Sequence, residues 1–255
     1  MRHLEQAGID VLGLTSADLD LTEPAAAATL AGQLREDDAL IMFAALTPDK
    51  GKDVDTLIRN LRMAETVCAA LDERPVAHVI YFSSDAVYPM DNDVVSEATC
   101  AAPADLYGNM HKTREVLFQD RVGCPLTVLR PTMIYGAGDT HNSYGPNRFR
   151  RTARQDGKIT LGGNGEETRD HVFVNDVAEL VKLCLEYRSH GVLNVATGTS
   201  TSFFDVATMV AQQCADPVEI VCTGRSMPVS HRTFDISATQ AAFPAFSYTP
   251  LHAVL

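Results

Sequence analysis

The sequence contains no tryptophan, no C-x-x-C pair, and no apolar stretch near the ~18 residues that a membrane-spanning helix needs. Each absence excludes a class. Six cysteines, at positions 68, 100, 124, 184, 214 and 222, have no neighbouring histidine at metal-ligand spacing, and a chain of 255 residues can build its core without disulfides. They are expected to be free thiols, and no metal site is expected. Positive charge is also scarce, with 21 Lys and Arg against 33 Asp and Glu, a balance of −12 that repels a phosphate backbone. A nucleic-acid partner is therefore not expected, nor a membrane. The opening Met1-Arg-His-Leu-Glu lacks the apolar segment of a secretory signal, so a cytoplasmic location is the expectation.

What is present is a globular mixture, 45% hydrophobic and 21% charged, arranged in alternating textures. Largely apolar runs bounded by turn residues recur at Val11 to Leu14, Ala39 to Leu46, His78 to Phe82 and Leu126 to Leu129. Runs of this kind suit strands buried on both faces. Between them lie amphipathic segments of helical length, Pro24 to Leu34, Val54 to Leu71 and Leu106 to Gln119. Alternation of strand and helix predicts an α/β fold, a Rossmann-like doubly wound parallel sheet. After about residue 136 the chain becomes rich in loops, with one short helix near Arg148 to Gln155. Helices over Val174 to Tyr187 and Ser202 to Cys214 follow, together with extended runs at Gly191 to Ala196 and Glu219 to Val221. The expected organisation is a dinucleotide-binding domain over 1–136, rejoined by 174–198, and a smaller C-terminal substrate lobe from 137–173 and 199–255, interleaved with it in sequence.

Two segments carry chemistry. Ser83-Ser84-Asp85-Ala86-Val87-Tyr88 follows a strand, and Tyr107-Gly108-Asn109-Met110-His111-Lys112 opens a helix about twenty residues later. A hydroxyl at a strand end and a tyrosine on an adjacent helix can reach one substrate oxygen, the tyrosine passing a proton and the serine orienting it. A free phenol has a pKa near 10, so it needs a cation close by. The plainer readings are a serine that satisfies backbone groups at a strand end and a tyrosine that packs.

Together with Asp18-Leu-Asp-Leu, Phe43-Ala-Ala, Leu129-Arg-Pro-Thr-Met-Ile-Tyr-Gly136, Arg169-Asp-His-Val-Phe-Val-Asn-Asp-Val-Ala178 and Asn194-Val-Ala-Thr-Gly198, these segments resemble the extended short-chain dehydrogenases/reductases. That family includes nucleotide-sugar epimerases, dehydratases and 4-ketoreductases, and the resemblance covers nearly the whole chain. It implies NAD or NADP on the sheet and an activated sugar in the lobe. It further implies Ser84 and Tyr107 as catalytic groups, with Asp85 and His111 as further candidates. Asp20, Leu21, Ala44, Ala45, Asn60, Pro131 and Met133, with Tyr107 and His111, match positions beside the cofactor; Asn142, Arg169 and Arg232 are the substrate candidates. A guanidinium suits a phosphate because its planar fork donates two parallel hydrogen bonds. A homodimer is implied, through the helices at Val54 to Leu71 and Leu106 to Gln119.

Three departures from the family pattern narrow the reading. The glycine-rich turn G-x-x-G-x-x-G is missing, and Met1 to Gly8 reads as the tail of the helix that would follow it. The expectation is a start placed too far downstream, with a truncated chain as the alternative. The family's Tyr-x-x-x-Lys has become Tyr107-x-x-x-His111, with Lys112 one place beyond. Position i+4 shares the tyrosine's helical face and i+5 does not, so His111 is the expected occupant and weaker activation of the phenol follows. Ala86 stands where a dehydratase of the family carries glutamate, which points to epimerisation or ketone reduction. The alternative is a sugar-nucleotide-binding or scaffold protein without catalysis.

Overall fold

The computed structural model describes residues 1–90, 94–138, 145–225 and 228–255. They fold into two compact units. One comprises Met1–Pro89, Thr99–Arg130 and Ala178–Leu193, the other Met90–Ala98, Pro131–Val177 and Asn194–Leu255.

The first unit is built on a four-stranded sheet in the order Ala39–Met42, His78–Phe82, Leu126–Pro131, Gly191–Val195. The first three strands run parallel, with Ala39 opposite His78 and Val79 opposite Leu126. His78–Phe82 is buried along its whole length, as a central parallel strand covered on both faces must be. Helix Val54–Glu73 starts where Asp53 accepts hydrogen bonds from the Thr56 amide and hydroxyl, both at 2.8 Å. It buries Met63, Ala64, Val67, Cys68 and Leu71, a stripe at spacings of three and four, and ends at Arg74 before Pro75. That stripe meets Leu40, Met42, Val79, Tyr81 and Val128 in one core. Val54 and Ile58 on this helix, and Val116 on Leu106–Arg121, remain exposed apolar side chains on the two helices expected to pair in a dimer.

Three expectations need correction here. Val11–Leu14 forms no strand, and no strand precedes Ala39 among the described residues. A strand exists only through its partner's ladder, and Ala39–Met42 bonds to His78–Phe82 alone. Leu12 and Leu14 are consequently exposed. The apolar run from Ala39 to Leu46 is strand only to Met42; beyond it Asn60 takes over the backbone, accepting from the Leu46 amide at 2.8 Å and donating to its carbonyl at 3.1 Å. The helix expected over Pro24 to Leu34 shortens to Ala26–Ala31.

The second unit pairs Met133–Tyr135 with Thr168–Phe173 in parallel, and Thr168–Phe173 with Ser200–Ser202 antiparallel. A separate ribbon joins Lys158–Gly162 to Glu219–Thr223. Its core gathers Phe149, Ala153, Ile159, Leu161, Val206 and Val210.

Candidate active site

Helix Leu106–Arg121 presents the central tyrosine. Asp105 caps it, accepting from the Gly108 amide at 2.7 Å. A side chain at Gly108 would put its Cβ 2.2 Å from the Ala86 carbonyl oxygen and 2.7 Å from Pro103 Cβ. Only glycine lets the helix approach this closely, and the approach sets Tyr107 beside the turn Asp85–Val87. Ser84 caps that turn, its Oγ accepting from the Ala86 amide at 3.1 Å while lying 3.4 Å from Asp85 Oδ1. Ser84, Asp85 and Tyr107 are all half-buried, so they border accessible space.

His111 lies one turn inward from Tyr107. The two rings meet edge to face at 4.7 Å, and His111 is 2% exposed. Its Nδ1 is 2.8 Å from the Tyr81 hydroxyl. The economical assignment has the phenol donating to Nδ1, which leaves Nε2–H as a buried donor with no partner among the described residues. Burial, reinforced by the Arg114 charge, pushes the imidazole down to about 3, so His111 is neutral at pH 7. Lys112 is engaged elsewhere, its Nζ 3.5 Å from Glu115 Oε2.

The depressed His111 also sets a pH dependence of stability. An unfolded histidine takes up its proton near pH 6.5 and the folded one only near 3, so between these values the unfolded state binds more protons. Stability is then full above about pH 6.5 and falls with pH, by about 2 kcal/mol at pH 5 from this residue. Buried His78, in the same unit, is depressed in the same direction by burial. Urea unfolding at pH 7 and pH 5 should show the loss, and His111→Gln should reduce it. An equal loss in that variant would assign the effect to other groups.

Beneath the turn lies a buried ionic cluster that sequence reasoning missed. Glu115 accepts from Arg130 Nε at 2.8 Å, from Arg130 Nη2 at 2.6 Å, and from Ser83 Oγ at 2.6 Å. Arg130 also donates to the Tyr88 hydroxyl at 2.8 Å and lies 4.9 Å over that ring. Arg114 is fully buried, donates to the Ala44 carbonyl at 2.8 Å, and sits 5.1 Å over the Tyr81 ring. The one available signal was spacing, since Tyr107, His111, Arg114, Glu115 and Phe118 fall on a single helical face.

The other candidates are placed as follows. Asn60 spends its amide on Leu46 and Thr56, fixing the strand-end turn after Ala44 and Ala45. Asp20 accepts from the Thr22 amide and hydroxyl, which lowers its pKa, and Leu21 packs on the first unit's core. In the second unit, Met133 pairs with His171, and buried Pro131 precedes it. Arg169 donates to the Thr168 and Ser230 carbonyls at 2.8 and 2.9 Å and to Ser230 Oγ at 2.8 Å, rather than to Asp170 or Asp176. Those carboxylates are satisfied by Thr197 and Gly198, and by Thr249. Arg232 is 2% exposed. Asn142 lies outside the described residues.

This parallel α/β unit places the candidate Ser84 just after the carboxyl end of strand His78–Phe82, and its structural neighbours are Rossmann-fold epimerases and dehydratases. The NAD dependent epimerase/dehydratase family model matches residues 1–196, and the chain belongs to that family. GDP-6-deoxy-D-talose 4-dehydrogenase of Aggregatibacter actinomycetemcomitans is 24% identical over 224 residues, 85% of this chain and 75% of the relative. dTDP-L-rhamnose 4-epimerase of Burkholderia thailandensis is 28% identical over 155 residues, which span 57% of this chain and 43% of that protein. Several curated relatives are thus matched over less than half of their length. The solved structure of MoeE5 in complex with UDP-glucose and NAD superposes with a TM-score of 0.84 at 22% identity, covering 99% of this chain and 90% of that one.

The family is NAD-dependent, and the residues here fit that cofactor unevenly. The buried unpartnered Nε2 of His111, beside Tyr107, fits the hydroxyls of a nicotinamide ribose. For the pyrophosphate, no strand–glycine turn–helix unit among the described residues offers its backbone amides.

Proposed function

We propose that this chain is an NAD(P)-dependent epimerase or 4-ketoreductase of a nucleotide-linked sugar, acting in the cytoplasm as a homodimer. The observation that carries the reading is the close approach at Gly108, which seats the Tyr107 helix against the turn capped by Ser84. When bound, the nicotinamide would supply the hydride acceptor or donor. Tyr107 moves the proton at the sugar oxygen, Ser84 Oγ orients that oxygen, and His111 Nε2–H holds the ribose side as a neutral donor. Ala44 and Ala45 offer strand-end backbone. Pro131 and Met133 are assigned beside the nicotinamide, and Arg169, Arg232 and Asn142 toward the nucleotide. Asp85 is reserved for a second proton transfer.

The histidine that stands at position 111 in place of lysine favours a second reading, a sugar-nucleotide-binding protein without turnover. The two part in one experiment, in which the protein is mixed with NAD or NADP, reduced or oxidised, and a panel of nucleotide sugars. Nicotinamide absorbance change or an inverted sugar is the expected result. Saturable sugar-nucleotide binding with neither cofactor binding nor turnover would establish the second reading and end the first.

A further inference from the structure

Arg114 is an expensive residue to bury. It is 0% exposed, its Nε has no hydrogen-bond partner, and no ion pair joins it to a carboxylate among the described residues. Its neighbour Glu115 is committed to Arg130, Ser83 and Lys112. A guanidinium stays protonated in a protein, so the charge is there, and among the described residues it is held by the Ala44 carbonyl, the Met110 sulfur at 3.8 Å and the face of Tyr81. Removing a charge from water without a counter-charge is among the costlier acts in folding. Lysine-free activation of Tyr107 needs a cation, and Arg114 stands seven residues along, on the same helical face.

We propose that Arg114 is a positioning residue whose buried guanidinium supplies the positive field that favours the ionised form of the Tyr107 phenol, the role left open where His111 replaces lysine. The groups packed around it leave it as the source of that field. From its own helix, His111 is neutral and Glu115 is neutralised by Arg130 and Lys112. Tyr81, from strand His78–Phe82, is fully buried and its phenol is pushed up by burial. Cys68, from helix Val54–Glu73, is pushed up to about 11 by burial and stays a thiol. The turn contributes Ser84 and Asp85, both half-buried. Arg114 interacts electrostatically with both Tyr81 and Tyr107, and Tyr107 is the more accessible of the two.

The inference rests on the proposed function for the use of the phenol, yet its test needs neither cofactor nor sugar. The chain has seven tyrosines and no tryptophan, so phenolate formation can be followed by near-ultraviolet absorbance, with Tyr107→Phe subtracted to isolate one group. Arg114→Gln keeps an N–H for the Ala44 carbonyl and loses the charge, whereas Arg114→Lys keeps the charge. We expect the Tyr107 transition to move up by about one pH unit in R114Q and to stay near the wild-type value in R114K. Equal transitions in wild type, R114Q and R114K, in variants whose circular dichroism shows them folded, would overturn the inference and leave Arg114 as an anchor for Ala44. If R114Q does not fold, R114K alone against wild type at low and high salt serves. A buried source resists screening, so a transition that moves with salt as an exposed pair would is the overturning result. A shifted transition in a protein that never turns over would sink the proposed function and leave the inference standing.

Discussion

Replacing Glu115 by alanine is expected to cost about 3–5 kcal/mol of stability, a large part of the roughly 5–15 kcal/mol that a domain possesses. Glu115 is 0% exposed and Arg130 4% exposed. The two share a bidentate pair, and Ser83 donates to the same carboxylate. Removing the carboxylate strands a guanidinium on the inner side of strand Leu126–Pro131 and orphans the Ser83 hydroxyl. The loss therefore comes less from the pair's net attraction than from the uncompensated charge it leaves. That distinction is measurable. The double variant Glu115→Met with Arg130→Met removes both charges, and it should recover most of the stability lost by Glu115→Ala in urea unfolding. A double variant as unstable as Glu115→Ala itself would mean that the pair's own attraction, and not the stranded charge, carries the loss.

The cluster also shows where sequence reading stops. Strand His78–Phe82 was legible because a largely apolar run bounded by turn residues suits burial on both faces, and the Tyr107 helix because an amphipathic segment of helical length opens on a tyrosine-led motif. Val11–Leu14 was read as a strand from equally apolar residues, yet a strand is a property of two segments and composition reports on one. Glu115 and Arg114 were passed over because adjacent opposite charges on a helix usually mark its solvated face. Here they point inward, one toward Arg130 and the other toward Tyr81. The spacing from Tyr107 placed both on the buried side, but only coordinates could say which neighbour compensated each charge. Gly108 was visible as a residue of the motif, and its reason, the 2.2 Å that a Cβ would leave to the Ala86 oxygen, was not.

Tyr107→Phe is expected to lower kcat by about 10²- to 10⁴-fold, the span that general acid–base catalysis by one positioned group contributes. The substitution keeps the ring and with it the edge-to-face contact on His111, so the folded state should be almost unchanged. Because the lost interaction belongs to the proton in flight and not to the resting sugar, KM should move little and kcat/KM should fall with kcat. Ser84→Ala should fall less, since in the proposed function the serine orients an oxygen and loses no proton, but it also uncaps the turn by freeing the Ala86 amide. Ser84→Thr separates the two effects by restoring the hydroxyl. A proton carried by Tyr107 must also be taken up or released at some pH, so wild-type kcat should show a limb that is absent from the residual rate of the phenylalanine variant. If Tyr107→Phe instead turns over at the wild-type rate with the limb intact, the phenol is outside the chemistry. The helix that Gly108 seats against the turn then serves packing alone.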